Sequence, residues 1–128
     1  MNIRNILVIV AGVVVLMILP STSFALTISG IVFNDVNCNG ARSAGDSGIA
    51  GVTLILSPGA IIASTSATGQ YTFSGLVPGT YIVTETDPSG YCSTTPNSRK
   101  IKLKNVNVSG QHFGDSKKFV SPPGGCCP

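Results

Sequence analysis

The sequence predicts an all-β fold, a single small antiparallel β-sandwich of six or seven strands. From Leu26 onward, no segment repeats its apolar residues at the 3.6-residue period of an amphipathic helix. Short runs of β-branched and aromatic residues are separated instead by Gly, Pro, Asn and Asp, which favour turns. The turns recur about every 8 to 12 residues, a spacing typical of β-sandwiches.

The predicted strands follow one another along the chain, and turn residues bound each of them. They are 27–33, 52–56, 60–66, 70–74, 79–86, 99–108 and 111–113. The nearly continuous apolar run at 52–56 predicts a strand that is covered on both faces. In 99–108 the apolar alternation shifts by one residue, which predicts a β-bulge near Lys104 and Asn105.

The predicted core consists of the inward-facing apolar residues of these strands. They are Ile31, Phe33, Val52, Leu54, Leu56, Tyr71, Phe73, Leu76, Tyr81, Val83, Ile101, Leu103, Val108 and Phe113. This core is modest, because the chain has no tryptophan, five phenylalanines and three tyrosines. A domain with so small a core gains from a bound metal ion or from disulfides.

Residues 1–25 predict a cleaved signal peptide. Arg4 supplies a basic start, 6–19 form an uncharged apolar run, and Ser23 and Ala25 are small residues at the −3 and −1 positions of a cleavage site. The run is shorter than the ~20 residues that a membrane-spanning helix needs. An uncleaved N-terminal anchor is the alternative, because 25–28 continue the apolar character. The chain is therefore expected outside the cell or at its surface, with membrane contact only through an uncleaved N-terminal segment.

Residues 26–115 then form one predicted domain, and the Pro/Gly/Cys-rich residues 116–128 predict a disordered tail. The formal net charge of +3 is mild. The basic residues of 99–104 alternate with apolar ones and lack interleaved aromatics, so they indicate a charged edge strand and no nucleic-acid site. A lone histidine, His112, without a catalytic arrangement around it predicts that the chain is not an enzyme.

Residues 35–46 have the ligand spacing of an EF-hand-type calcium loop. Oxygen-bearing side chains occupy positions one, three, five, nine and twelve, and Gly40 occupies position six, where such a loop turns sharply. These side chains are Asp35, Asn37, Asn39, Ser43 and Asp46. Because two of them are carboxylates, the spacing predicts weak calcium binding, with a Kd of roughly 10⁻⁴ to 10⁻³ M. A turn without a metal ion is the alternative, since Asn, Gly and Asp favour turns.

Four cysteines in an exported chain allow disulfides, and three pairings are open. A bridge between Cys38, inside the loop, and Cys92 would tie the loop to a neighbouring strand end. Cys126 and Cys127 are adjacent and cannot easily bridge each other without strain. Pairing of these two with another chain, their modification and their reduction all stay open.

The order of these motifs resembles the B-type repeat domain of serine–aspartate-repeat surface proteins, the SdrD B-like domain. That family is related to the Cna-B and prealbumin-like β-sandwiches. The resemblance extends over 27–115 and rests on the segments 28–35, 48–52, 69–81 and 88–91 together with the Asn-x-Asn-Gly loop. It implies a β-sandwich that binds calcium and serves as a stalk or adhesin module.

The resemblance also implies particular roles for individual residues. Calcium would be bound through the side chains of the loop and the Ala41 backbone carbonyl, with Ser43 contributing at position nine through a water molecule. Related Cna-B domains often form a Lys–Asn isopeptide bond with the help of a buried acid, and Glu85 lies where that acid would be. Residues 31–34 contain no lysine, so Glu85 is predicted to point inward as a hydrogen-bonded acceptor.

Together these features predict a secreted, non-enzymatic, calcium-stabilised module with a structural or adhesive role at the cell surface. Its expected partner is an extracellular protein or a glycan. One alternative is a pilin-like or filament-like assembly subunit whose Cys126 and Cys127 link neighbouring copies. A second alternative is a carbohydrate-binding module, for which Tyr91 and Tyr71 are the candidate aromatic platforms.

Overall fold

The structure is a computed structural model that describes residues 4–10, 12–19, 24–118 and 126–127. Its elements are ten strands: β1 (Arg4–Val10), β2 (Val13–Leu19), β3 (Leu26–Asn34), β4 (Thr53–Ser57), β5 (Ile61–Ser64), β6 (Gln70–Leu76), β7 (Gly79–Glu85), β8 (Tyr91–Ser93), β9 (Ser98–Leu103) and β10 (Phe113–Lys117). The all-β prediction is therefore confirmed. Within the described ranges, no helix is long and apolar enough to cross a membrane.

Eight of these strands form two four-stranded sheets. The strand order is β6-β3-β10-β8 in the first sheet and β5-β4-β7-β9 in the second. Neighbouring strands are antiparallel, except that β10 runs parallel to β3. The strand that the sequence did not predict is β8, whose three residues are too few for an alternating pattern to be visible.

The apolar N-terminal segment forms a separate antiparallel hairpin of β1 and β2. Its register pairs Arg4 with Leu19 and Val10 with Val13. Cleavage after Ala25 stays a prediction, and residues 20–23 of the predicted cleavage region lie outside the described residues.

The interior of the sandwich is built from alternate residues of each strand. In β4, Leu54 and Leu56 are fully buried, whereas Ile55 is 38% exposed on the outer face. The prediction that 52–56 is covered on both faces is therefore wrong. The strand belongs to an antiparallel-rich sheet, which has one face in the core and the other in solvent.

Strand β3 departs from the predicted inward pattern. Ile31 is half-buried, while Ile28 and Val32 are fully buried beside the predicted Phe33. Burial alternates without a break from Leu26 to Val32, so the inward positions are the even-numbered ones, and Phe33 is buried next to Val32. All other predicted core residues are buried, apart from Val108, which is half-buried and packs against the core.

The chain after β9 crosses from one sheet to the other. It leaves the second sheet at Leu103, and Val108 then forms a parallel bridge with Ile28 of the first sheet. The predicted β-bulge is therefore wrong, because the one-residue change of phase marks this crossing. Lys100 and Lys102 are exposed on β9, the last strand of its sheet, which confirms the prediction of a charged edge.

The end of the domain lies slightly beyond the predicted boundary at residue 115. Strand β10 continues to Lys117, and the Lys118 amide donates to the Gly90 carbonyl at 2.9 Å. The predicted disorder of 119–125 lies outside the described residues.

Candidate functional site

The predicted calcium loop connects β3 to β4 at one end of the sandwich. The Asn34 amide donates to the Ser47 carbonyl at 2.8 Å, and Phe33 forms a bridge with Gly48, so the two ends of the loop are held together. The Asp35 amide donates to the carbonyl of Asp115 in β10 at 2.7 Å. The loop is therefore fixed to the first sheet at its first ligand position.

Asp35 is completely buried, and the first half of the loop winds around its carboxylate. Its Oδ1 accepts the Asn39 amide at 3.2 Å, and its Oδ2 accepts the Gly40 amide at 2.7 Å. Gly40 has a φ of +71°, a left-handed conformation that glycine adopts without steric cost. Residue type and backbone conformation therefore agree at position six.

Asp46 closes the loop at position twelve. Its Oδ1 accepts the Val36 amide at 3.1 Å, and its Oδ2 accepts both the amide and the hydroxyl of Ser43 at 2.8 Å. These bonds, led by the Ser43 hydroxyl, lower the pKa of the Asp46 carboxyl, so the group is ionised at neutral pH. Because Val36 follows Asp35 directly, the first and last ligand positions are brought together.

The two asparagines complete the loop. Asn37 Oδ1 accepts the Asn39 amide at 3.3 Å, and Asn39 Oδ1 accepts the Ala41 amide at 2.9 Å. All six predicted ligand residues therefore lie on one hydrogen-bonded loop, and the side-chain atoms that could bind a metal ion are all oxygens. An ionised carboxylate has about four lone-pair positions, so Asp35 and Asp46 keep free acceptor capacity. This donor set fits a hard cation such as calcium.

The four cysteines pair in a way that the sequence did not indicate. Cys38 is bonded to Cys127, and Cys92 is bonded to Cys126, with Cα–Cα distances of 6.0 Å and 5.6 Å. A Cys38–Cys92 bridge, one of the possibilities that the sequence left open, is therefore not the one that forms. Consecutive residues of a non-helical segment project to different sides, so the adjacent cysteines reach two different elements. They connect the 35–46 loop and β8 to the C-terminal end of the chain.

This pairing also corrects the prediction of self-association through Cys126 and Cys127. No cysteine is free in the part of the chain that the structure describes. We expect the protein to migrate as a monomer on a non-reducing gel, without the ladder that linked copies would give. A reductant should slow its migration, because opening the two loops expands the denatured chain. Cysteine-dependent ladders in a freshly purified sample would contradict this pairing.

A second group of acidic residues lies at the same end of the sandwich. Glu85, at the end of β7, is 3% exposed, and Asp115, in β10, is completely buried. The predicted inward direction of Glu85 is confirmed. Its predicted role as a hydrogen-bonded acceptor is wrong, because none of the carboxylate oxygens of Glu85 and Asp115 has a donor among the described residues.

The environment raises the pKa of both carboxyls. Burial, followed by the charges of Asp115 and Asp87, raises the pKa of Glu85 to about 8. Burial and the charge of Asp87 raise the pKa of Asp115 to about 6, although a hydrogen bond from the protonated Glu85 carboxyl lowers it in part. A hydrogen bond between two carboxyls forms only when one of them is protonated. Sequence reasoning did not find Asp115, although its alternation with the buried Phe113 indicated an inward side chain.

His112 and Tyr71 have structural roles beside a shallow depression of about 310 Å³. His112 Nδ1 accepts the Ile31 amide at 3.0 Å, and burial lowers the pKa of the imidazole. Tyr71 is 2% exposed, and its hydroxyl donates to the Gln111 carbonyl at 2.6 Å. Tyr71 therefore offers no exposed aromatic platform to a sugar, which corrects that prediction.

Curated proteins with similar sequences are much longer than this chain. Colossin-A of Dictyostelium discoideum is 36% identical over 101 residues, which are 68% of this chain and 1% of colossin-A. Serine-aspartate repeat-containing protein C of Staphylococcus aureus strain N315 is 41% identical over 71 residues, which are 52% of this chain and 8% of that protein. The chain therefore corresponds to a small part of each relative.

Solved structures with the same fold include two from Gram-positive bacteria. The minor pilin GBS52 of Streptococcus agalactiae has a TM-score of 0.57 and 15% identity, over 88% of this chain and 59% of the pilin. The Bacillus anthracis TIE protein has a TM-score of 0.57 and 16% identity, over 91% of this chain and 24% of that protein. At these identities, the likeness establishes the β-sandwich fold.

The SdrD B-like domain family matches residues 26–119, a range that begins at the first residue of β3 and ends just beyond β10. The match includes both sheets, the 35–46 loop and the acidic residues at the same end of the sandwich. The chain therefore belongs to the SdrD B-like domain family.

Proposed function

We propose that this chain is an exported, non-enzymatic structural module whose 35–46 loop binds calcium at the cell surface. The observation that carries the proposal is the closure of the loop by two acids. Asp46 Oδ1 accepts the Val36 amide at 3.1 Å, beside the completely buried Asp35. Calcium binding would neutralise this pair of carboxylates and stabilise the connection between β3 and β4.

A structural or adhesive role is supported by the family and by the fold. The serine-aspartate repeat protein and the minor pilin are the relatives that motivate it. Export is inferred from the apolar run that follows Arg4 and from the disulfides, which persist in oxidising compartments. The expected partner is an extracellular protein or a glycan, and the module would hold or display a binding surface.

A pilin-like assembly subunit is the second candidate, and the likeness to pilin structures favours it. In such an assembly the contacts between copies would be non-covalent or would involve other groups, because all four cysteines pair within the chain. A carbohydrate-binding module has less support, since Tyr71 is buried and Tyr91 is half-buried.

Calcium titration by calorimetry, combined with thermal melting in calcium and in chelator, tests the loop. For a Kd of roughly 0.3 mM, about 10 mM calcium should stabilise the fold by about 2 kcal/mol. Asp46→Asn keeps the shape of the side chain but removes a ligand charge, so we expect it to weaken binding by the loop at least tenfold. Ser47→Ala, an exposed neighbour outside the ligand set, is the matched control.

The two variants separate the outcomes. Weaker binding by Asp46→Asn with unchanged binding by Ser47→Ala would support the calcium loop. Equal calcium affinity of Asp46→Asn and the wild type would contradict it, and the loop would then be a turn held by its hydrogen bonds alone.

A further inference from the structure

Three carboxylates meet at the end of the sandwich that also holds the calcium loop. Glu85 ends β7 in the second sheet, Asp115 lies in β10 of the first sheet, and Asp87 lies in the connection from β7 to β8. One oxygen of each residue lies within 4.8 Å of an oxygen of each of the other two. The group therefore spans the two sheets, and its members are far apart in sequence.

The two inner carboxylates are buried without any compensating donor. Glu85 is 3% exposed and Asp115 is completely buried, and while both carboxyls are ionised none of their four oxygens has a hydrogen-bond partner among the described residues. An ionised carboxylate that is buried alone is unfavourable by several kcal/mol. Three of them in contact add mutual repulsion, so this arrangement requires either protons or a cation.

The surrounding side chains position the group without neutralising it. Asp87 Oδ1 accepts the Ser93 hydroxyl at 2.8 Å and the Asn97 amide group at 2.6 Å. These bonds hold the exposed Asp87 at the mouth of the group. Asn97 Oδ1 is itself buried and has no partner in the described part of the chain. The Asn97 side chain therefore meets Asp87 through its amide nitrogen.

Arg99 does not serve as an internal counter-ion for this group. The Arg99 guanidinium lies over the Phe113 ring, 5.3 Å from the ring centroid. It donates no hydrogen bond to Glu85 or Asp115, whose oxygens all lack donors. No cationic side chain of the described residues therefore donates to the two buried carboxylates.

The distribution of acidic residues also indicates that negative charge accumulates around this group. The chain has five acidic residues and a formal net charge of +3. Two of the five lie in the calcium loop, and the other three form this group. None is left for the remaining surface, so the negative charge of the chain is concentrated at one end of the fold.

We propose that Glu85, Asp87 and Asp115 bind a second hard divalent cation, of the calcium class. A set of ligands made only of oxygens favours calcium, magnesium or manganese over softer metals. The exposed Asp87 gives the cation access from solvent, and the two buried carboxylates hold it between the sheets. The Asp35 amide donates to the Asp115 carbonyl, so this second site adjoins the loop without sharing its side-chain ligands.

Calorimetric titration of calcium into the full chain at neutral pH tests the second site. We compare the wild type with Asp87→Asn and Glu85→Gln, which replace a carboxyl ligand of the group by an amide, and with Asp46→Asn, which does the same at the loop. We expect two cations per chain in the wild type and one in each variant. Affinity at the altered site should fall at least tenfold. Asp87 is exposed, so Asp87→Asn is expected to fold whether or not Glu85→Gln does.

The variants also separate this inference from the calcium loop. A cation that remains in Asp46→Asn and is lost in Asp87→Asn supports the second site, even if the loop itself binds nothing. A single cation that is lost in Asp46→Asn and kept in both Asp87→Asn and Glu85→Gln overturns the second site and leaves the loop intact. No calcium binding by any of the proteins overturns both, and protons would then neutralise the three carboxylates.

Discussion

Opening the Cys38–Cys127 disulfide is expected to destabilise the domain more than any other change considered for this chain. The bridge joins residues that are 89 apart in sequence, so chain-entropy arguments give a loss of about 4–5 kcal/mol. The Cys92–Cys126 bridge closes a separation of 34 residues, and the same argument gives about 4 kcal/mol. The two losses are not additive, because each bridge already restricts part of the same denatured chain.

The physical reason is the small size of the core. The chain has no tryptophan, and a domain of about 90 residues has limited apolar surface to bury. Much of its net stability, typically about 5–15 kcal/mol for a whole domain, therefore depends on the restriction of the unfolded state. Each bridge also connects the C-terminal end to an element beside the acidic groups, so its loss should loosen that end first.

Urea unfolding of two double variants measures the two contributions. Cys38→Ser/Cys127→Ser should lower the unfolding midpoint at least as much as Cys92→Ser/Cys126→Ser, and both should retain one closed disulfide and no free thiol. Cys38→Ser/Cys126→Ser is the matched control, because it leaves two cysteines that are not partners in the native fold. Unchanged midpoints in the first two variants would contradict a stabilising role for the bridges.

The sheets were predictable because one face of each strand is apolar. In β7, Tyr81 and Val83 alternate with exposed residues, and the alternation continues to Glu85. An alternating pattern is visible in a single sequence, because successive residues of a half-buried strand point to opposite faces of the sheet. The same rule predicted the inward direction of Glu85, although not what it would meet there.

The failures have equally local causes. At 52–56, apolar residue type alone suggested cover on both faces, but Ile55 lies on the solvent face. At the end of β9, a change of phase was interpreted as a bulge within one strand, whereas Val108 pairs with Ile28 in the other sheet. A bulge within one strand and a crossing to the other sheet produce the same one-residue shift in the apolar pattern. The sequence shows the phase of a strand but not the sheet to which it belongs.

Contacts between distant residues could not be predicted at all. The predicted calcium loop is contained within twelve consecutive residues, so its spacing could be recognised from the sequence. The disulfide pairs and the Glu85–Asp115 pair depend instead on the order of strands in two sheets. Four cysteines permit three pairings, and nothing in their spacing distinguishes between them.

In the presence of chelator, the wild type is expected to lose stability as the pH rises from about 5 to 8. Glu85→Gln is expected to abolish most of this loss. Burial, with the charges of Asp115 and Asp87, raises the pKa of Glu85 in the folded protein to about 8, from 4.5 in the unfolded chain. The folded state therefore holds this proton more tightly than the unfolded state does. Its contribution is fully present below the unfolded pKa and is lost as the pH rises through the folded pKa.

Thermal melts across this pH range, in chelator, measure the effect. The wild type should lose on the order of 2 kcal/mol, less than the full linkage value because solvent reaches the group at Asp87. Glu85→Gln stays neutral and should give a nearly flat curve above pH 6, while Asp115, whose pKa is raised to about 6, leaves a smaller loss below it. Asp46→Asn is the matched control, because the lowered pKa of Asp46 gives a contribution that is lost only in acid. Parallel curves for Glu85→Gln and the wild type would show that the buried pair carries no proton. If added calcium flattens the curve of the wild type but not that of Asp87→Asn, a cation takes the place of the proton.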